Sequence, residues 1–546
     1  MKTYTNPVYP YRRSADQDAP PARRPVVVVG AGPIGLAAAI DLAQQDVPVV
    51  VLDEDNTVSV GSRAICYAKR ALEILDRLGC GERVVRKGVG WSVGKVFHGN
   101  DLIYQFDLLP EPGHRRPAFV NLQQYYLEEY LVDRVAELPA AEIRWENRVK
   151  AVVPHADHVA LTVATPDGDY ELHCDWLIVA DGAKSPVRAM LGLESEGQVF
   201  RDRFLIADIR MRTNFPPERW FWFDPPFHPN QSVLLHRQAD DVWRVDFQLG
   251  WDANPEDEKR PERIAPRLRS MLGASAEFGI EWASVYTFQC RRMRRFRHGR
   301  VIFAGDAAHL VSPFGARGAN SGFQDTDNLV WKLRLVLEGL APERLLDSYD
   351  VERTAAADEN ILNSTRATDF ITPKSAVSRL FRDATLALAR RHAFARRLVN
   401  SGRLSVPRIH TESPLTTPDR HGESFADAVP LGSVAADAPV TGPGSTWLLA
   451  YLNQGFTLLA FGNAVAPAAA ASLLHDRIPC HVVQVGGEHD DDLIVVQDVA
   501  GLVAKRYDGR PGTCYLMRPD GIVCARWRSF DAAAVRAAVA RATARD

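Results

Sequence analysis

The first hydrophobic run of the chain is Val26 to Val29, and the sequence Gly30-Ala31-Gly32-Pro33-Ile34-Gly35 follows it directly. Four consecutive β-branched residues predict a parallel strand that is buried on both faces. The mostly apolar stretch Leu36 to Gln45 predicts a helix, and Val47 to Leu52 predicts a second strand. Glycines at this spacing allow a tight turn, the close approach of a pyrophosphate and close packing of the helix. The pattern therefore predicts a dinucleotide site.

An acid ends the second predicted strand. Asp53 lies 23 residues after Gly30, where a carboxylate binds the adenosine ribose in this motif. A carboxylate there favours a free 2′-hydroxyl over a 2′-phosphate. FAD and NAD both carry that hydroxyl, so this segment alone leaves the cofactor open.

Two later segments repeat the combination of glycine and acid. The apolar strand Trp176 to Ala180 ends at Asp181-Gly182, which lies at the ligand edge if the sheet is parallel but is also an ordinary turn sequence. Further along, Gly305-Asp306-Ala307-Ala308-His309 precedes a long helical stretch from Asn320 to Leu337. Between these segments, period-two patterns predict strands at Phe204 to Met211, Ser232 to Arg237, Val242 to Leu249 and Ala283 to Phe288, with a hairpin turn at Asp240-Asp241.

Composition narrows the class of protein. The 546 residues are 46% apolar and 24% charged, and the formal charge of −3 is nearly balanced, which excludes the strongly basic surface of a nucleic-acid-binding protein. Residues 1–24 are polar and predict neither a signal peptide nor an anchor, and no apolar stretch is typical of a transmembrane helix. Seven cysteines lack CxxC or Cys/His spacing, which argues against a metal site or a disulfide framework and favours a cytoplasmic location.

Taken together, these motifs carry a resemblance. Residues 25 to about 360 resemble the FAD-dependent aromatic hydroxylases, the single-component flavoprotein monooxygenases of the para-hydroxybenzoate and phenol hydroxylase type. Three motifs match in order: Gly30 to Gly35, then Asp181-Gly182 with Ser185 and Arg188, then Gly305 to His309. The third continues through Pro313, Gly315, Gly318, Asn320, Gly322, Asp325, Asn328-Leu329, Trp331-Lys332-Leu333, Tyr349 and Glu352-Arg353.

The resemblance implies the cofactor contacts. Asp306 would bind the ribityl chain, Pro313 and Gly315 would lie beside the isoalloxazine, and Arg63 and Gln123 would contact phosphate and flavin. The motif of Asp181, Gly182 and Arg188 is credited in the family with a double role towards FAD and NAD(P)H. The implied FAD-binding residues are Gly30, Gly32, Gly35, Asp53, Arg63, Gln123, Asp181, Gly182, Arg188, Gly305, Asp306, Pro313, Gly315, Gly318 and Asn320.

The helix after Gly315 has a physical role in this scheme. Reduced flavin carries negative charge at its N1 and C2 carbonyl edge, and free amides at the N-terminus of a helix suit that charge. Arg317 adds a positive charge if it points inward, whereas an arginine in such a loop also commonly faces solvent. Both alternatives stay open at this point.

The implied reaction uses FAD, NAD(P)H and O2. The nicotinamide reduces the flavin, and a C4a-hydroperoxyflavin then transfers oxygen to an electron-rich phenolic ring. The pocket is expected to help remove the phenolic proton and to exclude water. Candidate catalytic residues on the predicted strands are His236, Arg237, Arg244 and Tyr286, with the aromatic run Trp220 to Phe223 nearby. His236 is a candidate proton acceptor and either arginine a candidate anion ligand, although alternating strands also expose polar side chains to water.

The expected fold class is α/β. A Rossmann-like FAD-binding domain (25–90, 121–200 and 289–404) follows a polar N-terminal extension (1–24) and holds an inserted, mainly β substrate domain (91–120 and 201–288). A proline-rich linker (405–445) leads to a C-terminal domain (446–546) that resembles the thioredoxin-like domain of the phenol hydroxylase branch. This domain lacks CxxC, so a structural role is expected for it, and a homodimer is expected from the resemblance.

Other functions compete with hydroxylation of a small phenol. Hydroxylation with release of nitrite or halide, and hydroxylation of a polycyclic polyketide, need the same motifs. Flavin-dependent halogenases carry the signature Trp-x-Trp-x-Ile-Pro. The most similar stretch here, Trp220 to Pro225, lacks its isoleucine, which disfavours a halogenase. A non-catalytic flavin-binding protein is the alternative from another class. No metal, nucleic acid or membrane partner is expected.

Overall fold

The structure is a computed structural model that describes residues 4–399, 404–426, 428–452, 455–487 and 493–546. It divides into two compact units. The first contains Met1–Pro110, Pro117–Gln324 and Ala357–Val406, and the second contains Glu111–Arg116, Asp325–Ala356 and Pro407–Asp546. Most of the predicted FAD and substrate domains thus falls into the first unit, whereas residues 325–356 of the predicted FAD domain and 111–116 of the predicted substrate domain belong to the second.

The strands are β1 (Ala22–Val29), β2 (Val49–Leu52), β3 (Cys66–Ala68), β4 (Val89–Trp91), β5 (Val93–His98), β6 (Asp101–Asp107), β7 (Phe119–Asn121), β8 (Ala141–Arg144), β9 (Arg148–Pro154), β10 (Val159–Thr165), β11 (Gly168–Val179), β12 (Ser195–Arg210), β13 (Arg219–Phe223), β14 (Ser232–Arg237), β15 (Val242–Leu249), β16 (Gly279–Met293), β17 (Arg297–His298), β18 (Val301–Phe303), β19 (His309–Leu310), β20 (Phe456–Phe461), β21 (Cys480–Val485), β22 (Ile494–Val496), β23 (Cys514–Met517) and β24 (Val523–Trp527). The helices are α1 (Pro33–Ala43), α2 (Lys69–Arg77), α3 (Gly81–Lys87), α4 (Gln124–Ala136), α5 (Pro186–Met190), α6 (Pro255–Glu258), α7 (Pro261–Leu272), α8 (Gly318–Leu337), α9 (Asp347–Ile371), α10 (Ala376–Ala389), α11 (Ala393–Arg396), α12 (Leu449–Leu452), α13 (Pro467–Leu474), α14 (Leu502–Tyr507) and α15 (Ala532–Ala542).

The first sheet runs in the order β17-β18-β11-β1-β2-β8, with β10 and β9 added in antiparallel fashion beside β11. The strands from β18 to β8 are parallel, and the valines of β1 are almost entirely buried between their neighbours, as the apolar run predicts. Parallel strands end at one edge of the sheet, so the loops after β1, β2, β11 and β18 meet there. This edge carries all three sequence motifs.

The second sheet runs in the order β19-β16-β12-β15-β14-β13-β5-β6. It contains the predicted strands, but β12 and β16 are longer than predicted because they pair with each other along most of their length. The face that we call the inner face carries Phe204, Phe221, Phe288 and, packed on them, Phe314. Phe314 belongs to the loop of the third motif, so the inner face is turned towards that loop.

The second unit has its own core. Its mixed sheet runs in the order β22-β21-β20-β23-β24, and apolar clusters cover both faces. The expected linker contributes to one of these clusters through Val429, Ala435, Ala438 and Val440. Burial of these side chains makes residues 407–445 part of the folded unit in place of a free tether.

Among the residues that the structure describes, no helix is long and apolar enough to cross a membrane. In the same part of the chain, no group of three or more His, Cys, Asp or Glu side chains is arranged to hold a metal ion. The seven cysteines are free thiols.

Candidate active site

The glycine loop after β1 has the tight geometry that the sequence predicts. Gly30 has a φ of 105°, and a Cβ there would approach the Ala180 carbonyl oxygen of β11 to 2.5 Å. A Cβ on Gly35 would overlap the carbonyl oxygen of Gly30, so only glycine lets α1 pack this closely. A Cβ on Gly32 would meet no atom within 4 Å. Gly32 therefore borders open space at the N-terminus of α1, where amides and the helix dipole favour phosphate.

Asp53 lies directly beside this loop. One carboxylate oxygen accepts a hydrogen bond from the Ala31 amide (2.5 Å), and the other accepts one from the Asp55 amide (2.9 Å). Burial raises the pKa of Asp53, and the two amides oppose this shift. The ribose carboxylate expected from the sequence thus adjoins the turn expected to bind pyrophosphate.

Arg188 connects the second motif to the third. Its guanidinium donates to the Ala307 carbonyl (2.7 Å) and to the Ala183 carbonyl (2.9 Å). Asp181 accepts a hydrogen bond from the Val187 amide (3.0 Å) and so caps the turn into α5. Gly182 has a φ of 81°, and a Cβ there would meet nothing within 4 Å. The motif therefore has a structural task and also leaves open space at the sheet edge.

The third motif packs onto the first. A Cβ on Gly305 would lie 3.0 Å from Ile34 of α1, and one on Gly322 of α8 would lie 2.6 Å from the same side chain. Asp306 is exposed, and Gly318 at the start of α8 lies close to its carboxylate, with 3.8 Å from a Cβ to Oδ1. Asp306 and the N-terminus of α8 are thus neighbours at the edge that carries the glycine loop.

Asn320 and Arg317 are both buried. Asn320 accepts from the Ala68 amide (2.7 Å) and donates to the Cys66 carbonyl (2.9 Å), which joins β3 to the start of α8. Arg317 donates to the Phe314 carbonyl (2.8 Å), so of the two alternatives left open by the sequence the structure has the buried one. Pro313 is exposed. Gly315 has a φ of 111°, so the loop just before α8 has a backbone conformation that favours glycine.

Arg63 and Gln123, the two residues expected to contact phosphate and flavin, differ from each other in burial. The Arg63 side chain is exposed at the first unit's surface, and its charge acts on Tyr286, as does that of Asp306. Gln123 is buried and donates to the Ala239 carbonyl (3.0 Å). Its neighbour Gln124 accepts from the Ala64 amide (3.0 Å), so Gln124 is the glutamine in contact with the loop of Arg63.

These features fit FAD. The loops after β1 and β11 each carry a glycine, Gly32 or Gly182, where a side chain would occupy open space. Backbone amides at the start of α1, the Asp53 carboxylate and the Asp306 carboxylate are the donor and acceptor types that pyrophosphate, ribose and a ribityl chain require. When bound, FAD supplies the redox chemistry, and these residues hold and orient it.

The four catalytic candidates lie in different surroundings. Arg244 is buried and donates to both oxygens of Asp208 and to the carbonyls of Ser62 and Arg63. Arg237 is half-buried and pairs with Asp241 (3.2 Å). Tyr286 lies on the inner face, and burial and the nearby Asp306 raise its pKa to about 12. Trp220 and Trp222 pack on the opposite face.

His236 belongs to a polar group on the inner face that we call the inner polar cluster: Cys66, Arg219, His236 and Asp246. His236 Nδ1 lies 4.0 Å from Cys66 Sγ. His236 is 3% exposed and Arg219 is 5% exposed. Within the described residues, the Arg219 guanidinium has no hydrogen bond or ion pair, and Asp246 Oδ1 has no hydrogen-bond partner. A buried cation without a partner is costly, so this cluster suits a polar ligand.

The sequence analysis did not include Arg219, Asp246 and Cys66 among the candidate site residues. For Arg219 and Asp246, the signal that could have found them was the period of two along each strand. Arg219 lies two residues before Phe221, and Asp246 lies two residues after Arg244. Arg219 therefore shares the inner face with Phe221, and Asp246 shares it with Arg244. Which face is the inner one depends on strand pairing, and a single strand pattern does not reveal it.

The structure and the motifs agree with comparisons with known proteins. The family model FAD_binding_3, described as FAD binding domain, matches residues 23–364. The chain belongs to this family. It is an FAD-dependent aromatic-ring monooxygenase that uses NAD(P)H and O2.

Relatives of this FAD_binding_3 member cover most of its length. The 12-dehydrotetracycline 5-monooxygenase/anhydrotetracycline 6-monooxygenase of Streptomyces rimosus is 31% identical over 92% of this chain and 95% of its own. The para-nitrophenol 4-monooxygenase of a Pseudomonas species is 30% identical over 60% of this chain and 82% of its own. Among solved structures, the flavin-dependent monooxygenase PieE in complex with FAD and substrate covers 97% of this chain and 100% of its own, with a TM-score of 0.80 and 22% identity, which shows a shared fold.

Proposed function

We propose that this monooxygenase hydroxylates a small phenol whose hydroxyl group lies against the inner polar cluster. The observation that carries the proposal is the unpaired Arg219 guanidinium, buried on the inner face beside His236. A phenol offers a hydroxyl for the polar cluster and a ring for the aromatic inner face. Phe204, Phe288 and Phe314, with ring centroids 4.9 to 5.0 Å apart, form the aromatic part of that face.

The residues divide the task in this proposal. The glycine loop, Asp53 and Asp306 would hold the cofactor, and the amides at the N-terminus of α8 would stabilise negative charge on the reduced flavin. Phe204, Phe288 and Phe314 exclude water from the reacting ring. The inner polar cluster orients the hydroxyl and stabilises the ring in its phenolate form, which is far more nucleophilic at the ortho and para carbons.

Consumption of NADH and NADPH by the FAD-loaded protein tests the substrate. The panel contains simple phenols, nitrocatechols, halophenols and fused-ring phenols, with product mass and released anion measured in the same reactions. A one-ring phenol that accelerates oxidation and gains one oxygen is the expected result. Release of nitrite or halide identifies the eliminating reaction, which the para-nitrophenol relative supports. Acceleration by fused rings alone overturns the one-ring substrate in favour of a polyketide, as the tetracycline-pathway relative supports, and no acceleration by any ring favours a non-catalytic flavoprotein.

A matched pair of variants tests the site. In Arg219→Gln, KM for the phenol should rise about 10- to 100-fold, because a buried charge-assisted contact is lost. Arg212→Gln removes an exposed arginine just after β12 and should leave KM unchanged. Equal effects of both substitutions contradict a contact between Arg219 and substrate.

We also propose that the second unit is a thioredoxin-like domain with a structural role. The strand order of the second unit, with β22, β21 and β20 parallel and β23 and β24 antiparallel, supports a thioredoxin-like domain. Cys480, Cys514 and Cys524 are buried and no CxxC is present, which supports a structural role for it. The homodimer stays a prediction, which sedimentation of the holoenzyme tests.

A further inference from the structure

Asp246 occupies a defined place on the inner face. It lies on β15 opposite Leu234 of β14 and opposite Ile206 of β12. His236 pairs with Arg244, so Asp246 is diagonal to His236, a separation of about 7–8 Å that a bound phenol oxygen would bridge. Trp220 pairs with Leu235, which places Arg219 next to His236 across β13 and β14. The carboxyl group, the imidazole and the guanidinium therefore lie on the same face of the sheet.

Charged and titratable groups surround Asp246 on every packed element. They are Arg244 on its own strand, Asp208 on β12, Arg219 on β13, His236 on β14 and Cys66 on β3. Arg244 and Asp208 neutralise each other through their ion pair, in which both N–O distances are 2.8 Å. This leaves the carboxyl group of Asp246 and the guanidinium of Arg219 without a bonded partner among the described residues.

His236 is a poor proton acceptor at this position. Burial and the charges of Arg219 and Arg244 hold its pKa well below its usual range, because an imidazolium would add a third positive charge. Asp246 differs. Burial raises its pKa to about 7, with Arg244 and Arg219 opposing the shift and Asp208 adding to it. A base with a pKa near the working pH is suited to proton transfer.

We propose that Asp246 accepts the proton of the substrate's phenolic hydroxyl and that Arg219 holds the phenolate that forms. This inference rests on the proposed function. The O–H bond breaks, the proton goes to a carboxylate oxygen of Asp246, and the electron pair stays on the phenolic oxygen. One negative charge moves from Asp246 to the substrate, so the net charge of the inner polar cluster with its ligand is unchanged. After hydroxylation, the product oxygen takes the proton back.

Proton uptake on ligand binding tests the assignment directly. The probe is 4-nitrophenol, mostly ionised at pH 8, added to oxidised holoenzyme in calorimetric titrations with buffers of different ionisation enthalpy. Binding of the anion should protonate Asp246, so wild type should take up close to one proton. Asp246→Asn should bind the anion with close to no uptake, and more tightly, because the cluster has lost a negative charge. His236→Gln should keep the uptake.

Turnover supplies a second readout. For the fastest phenol of the panel with a pKa above 9, kcat of Asp246→Asn at pH 7.5 should fall about 100-fold or more. For a nitrophenol that is already ionised in solution, the loss should be less than about 3-fold, since no proton acceptor is needed. Asp252→Asn removes an exposed carboxylate beyond the end of β15 and should match wild type with both phenols.

The outcomes separate the inference from the proposed function. Uptake that is kept in Asp246→Asn and lost in His236→Gln overturns the assignment and makes His236 the acceptor. An equal loss of kcat for both phenols in Asp246→Asn also overturns it. If wild type binds no 4-nitrophenol and oxidises no phenol, the proposed function fails and the inference fails with it.

Discussion

Arg244 of β15 and Asp208 of β12 lie opposite each other on paired strands and form a two-point ion pair, with both N–O distances at 2.8 Å. The same guanidinium donates to the carbonyls of Ser62 and Arg63. Arg244 therefore joins the second sheet to the loop that carries Arg63. The structure favours Arg244 as a positioning residue over its predicted role as an anion ligand, because its donors are already engaged.

Substitution of Arg244 by lysine should weaken FAD binding. Lysine keeps the charge but cannot contact Asp208 and two carbonyls through one planar group. We expect about a 10-fold higher Kd for FAD, measured from the quenching of FAD fluorescence on titration of apoprotein. Arg237→Lys, on the neighbouring strand and half-buried, is the control and should bind FAD as wild type does. Unchanged FAD affinity in Arg244→Lys contradicts the positioning role.

Substitution of two glycines of the first motif by alanine should impair the protein for different reasons, one through stability and the other through FAD binding. Gly35→Ala places a methyl group on the Gly30 carbonyl, so the variant should lose stability and yield little folded protein. In Gly32→Ala the methyl group enters open space, so the apoprotein should keep the circular dichroism and Tm of wild type. Its FAD content should nevertheless fall to less than about a tenth, because the methyl group stands where the pyrophosphate approaches. FAD retention by Gly32→Ala contradicts this placement of the cofactor.

Glu352 is the centre of a buried ionic network in the second unit. Arg518 contacts it at 2.6 Å, Lys332 at 2.9 Å and Asn328 at 2.6 Å. Glu352→Gln leaves Arg518 and Lys332 with one acid fewer and should cost about 3–5 kcal/mol. Glu338→Gln breaks an exposed i,i+4 pair with Arg334 and should cost less than about 0.5 kcal/mol. Thermal unfolding of both variants against wild type measures the difference.

The deficit of Glu352→Gln should depend on pH. Despite burial, Arg518 and Lys332 hold the pKa of Glu352 well below its ordinary value of 4.5. A lowered carboxyl pKa contributes stability that is present above about pH 4.5 and is lost as the pH falls through the folded-state pKa. Below about pH 4.5, the Tm difference from wild type should therefore shrink as the pH falls. A difference that grows below pH 5 contradicts the ionic origin of the effect.

The N-terminal segment should affect FAD release. Asn6 donates to the carbonyls of Val58 (3.0 Å) and Ser59 (3.1 Å), and the Tyr9 amide donates to the Asn56 carbonyl (2.8 Å). These contacts hold the loop that follows Asp53. Asn6→Ala should raise the rate of FAD dissociation about 5- to 10-fold, as expected for the loss of about 1 kcal/mol. Arg13→Ala, which changes only exposed ion pairs of the same segment, should release FAD at the wild-type rate in stopped-flow fluorescence.

Local chemistry was sufficient for the cofactor-binding edge. The valine run, the glycine spacing and the acid at Asp53 predict β1, α1 and β2 from neighbouring residues alone, because turn geometry and burial are local properties. Helix α1 begins at Pro33, three residues before the apolar stretch that predicts it, since proline is well accommodated in the first turn. The order of the three motifs could also be predicted from the sequence, and the parallel strands bring these motifs to one edge of the sheet.

Tertiary structure alone decided which side chains share the inner face of the second sheet. The pairing of β12 to β16 determines that Arg219 and Asp246 share a face with His236 and that Trp220 and Trp222 do not, and such pairing joins residues far apart in the chain. Tertiary structure also determined that Arg244 pairs with Asp208, that Gln123 donates to the Ala239 carbonyl, and that the stretch 407–445 packs into the core of the second unit. A strand's period of two predicts which residues share a face, but only packing against the loop of Phe314 decides which face is turned towards the third motif.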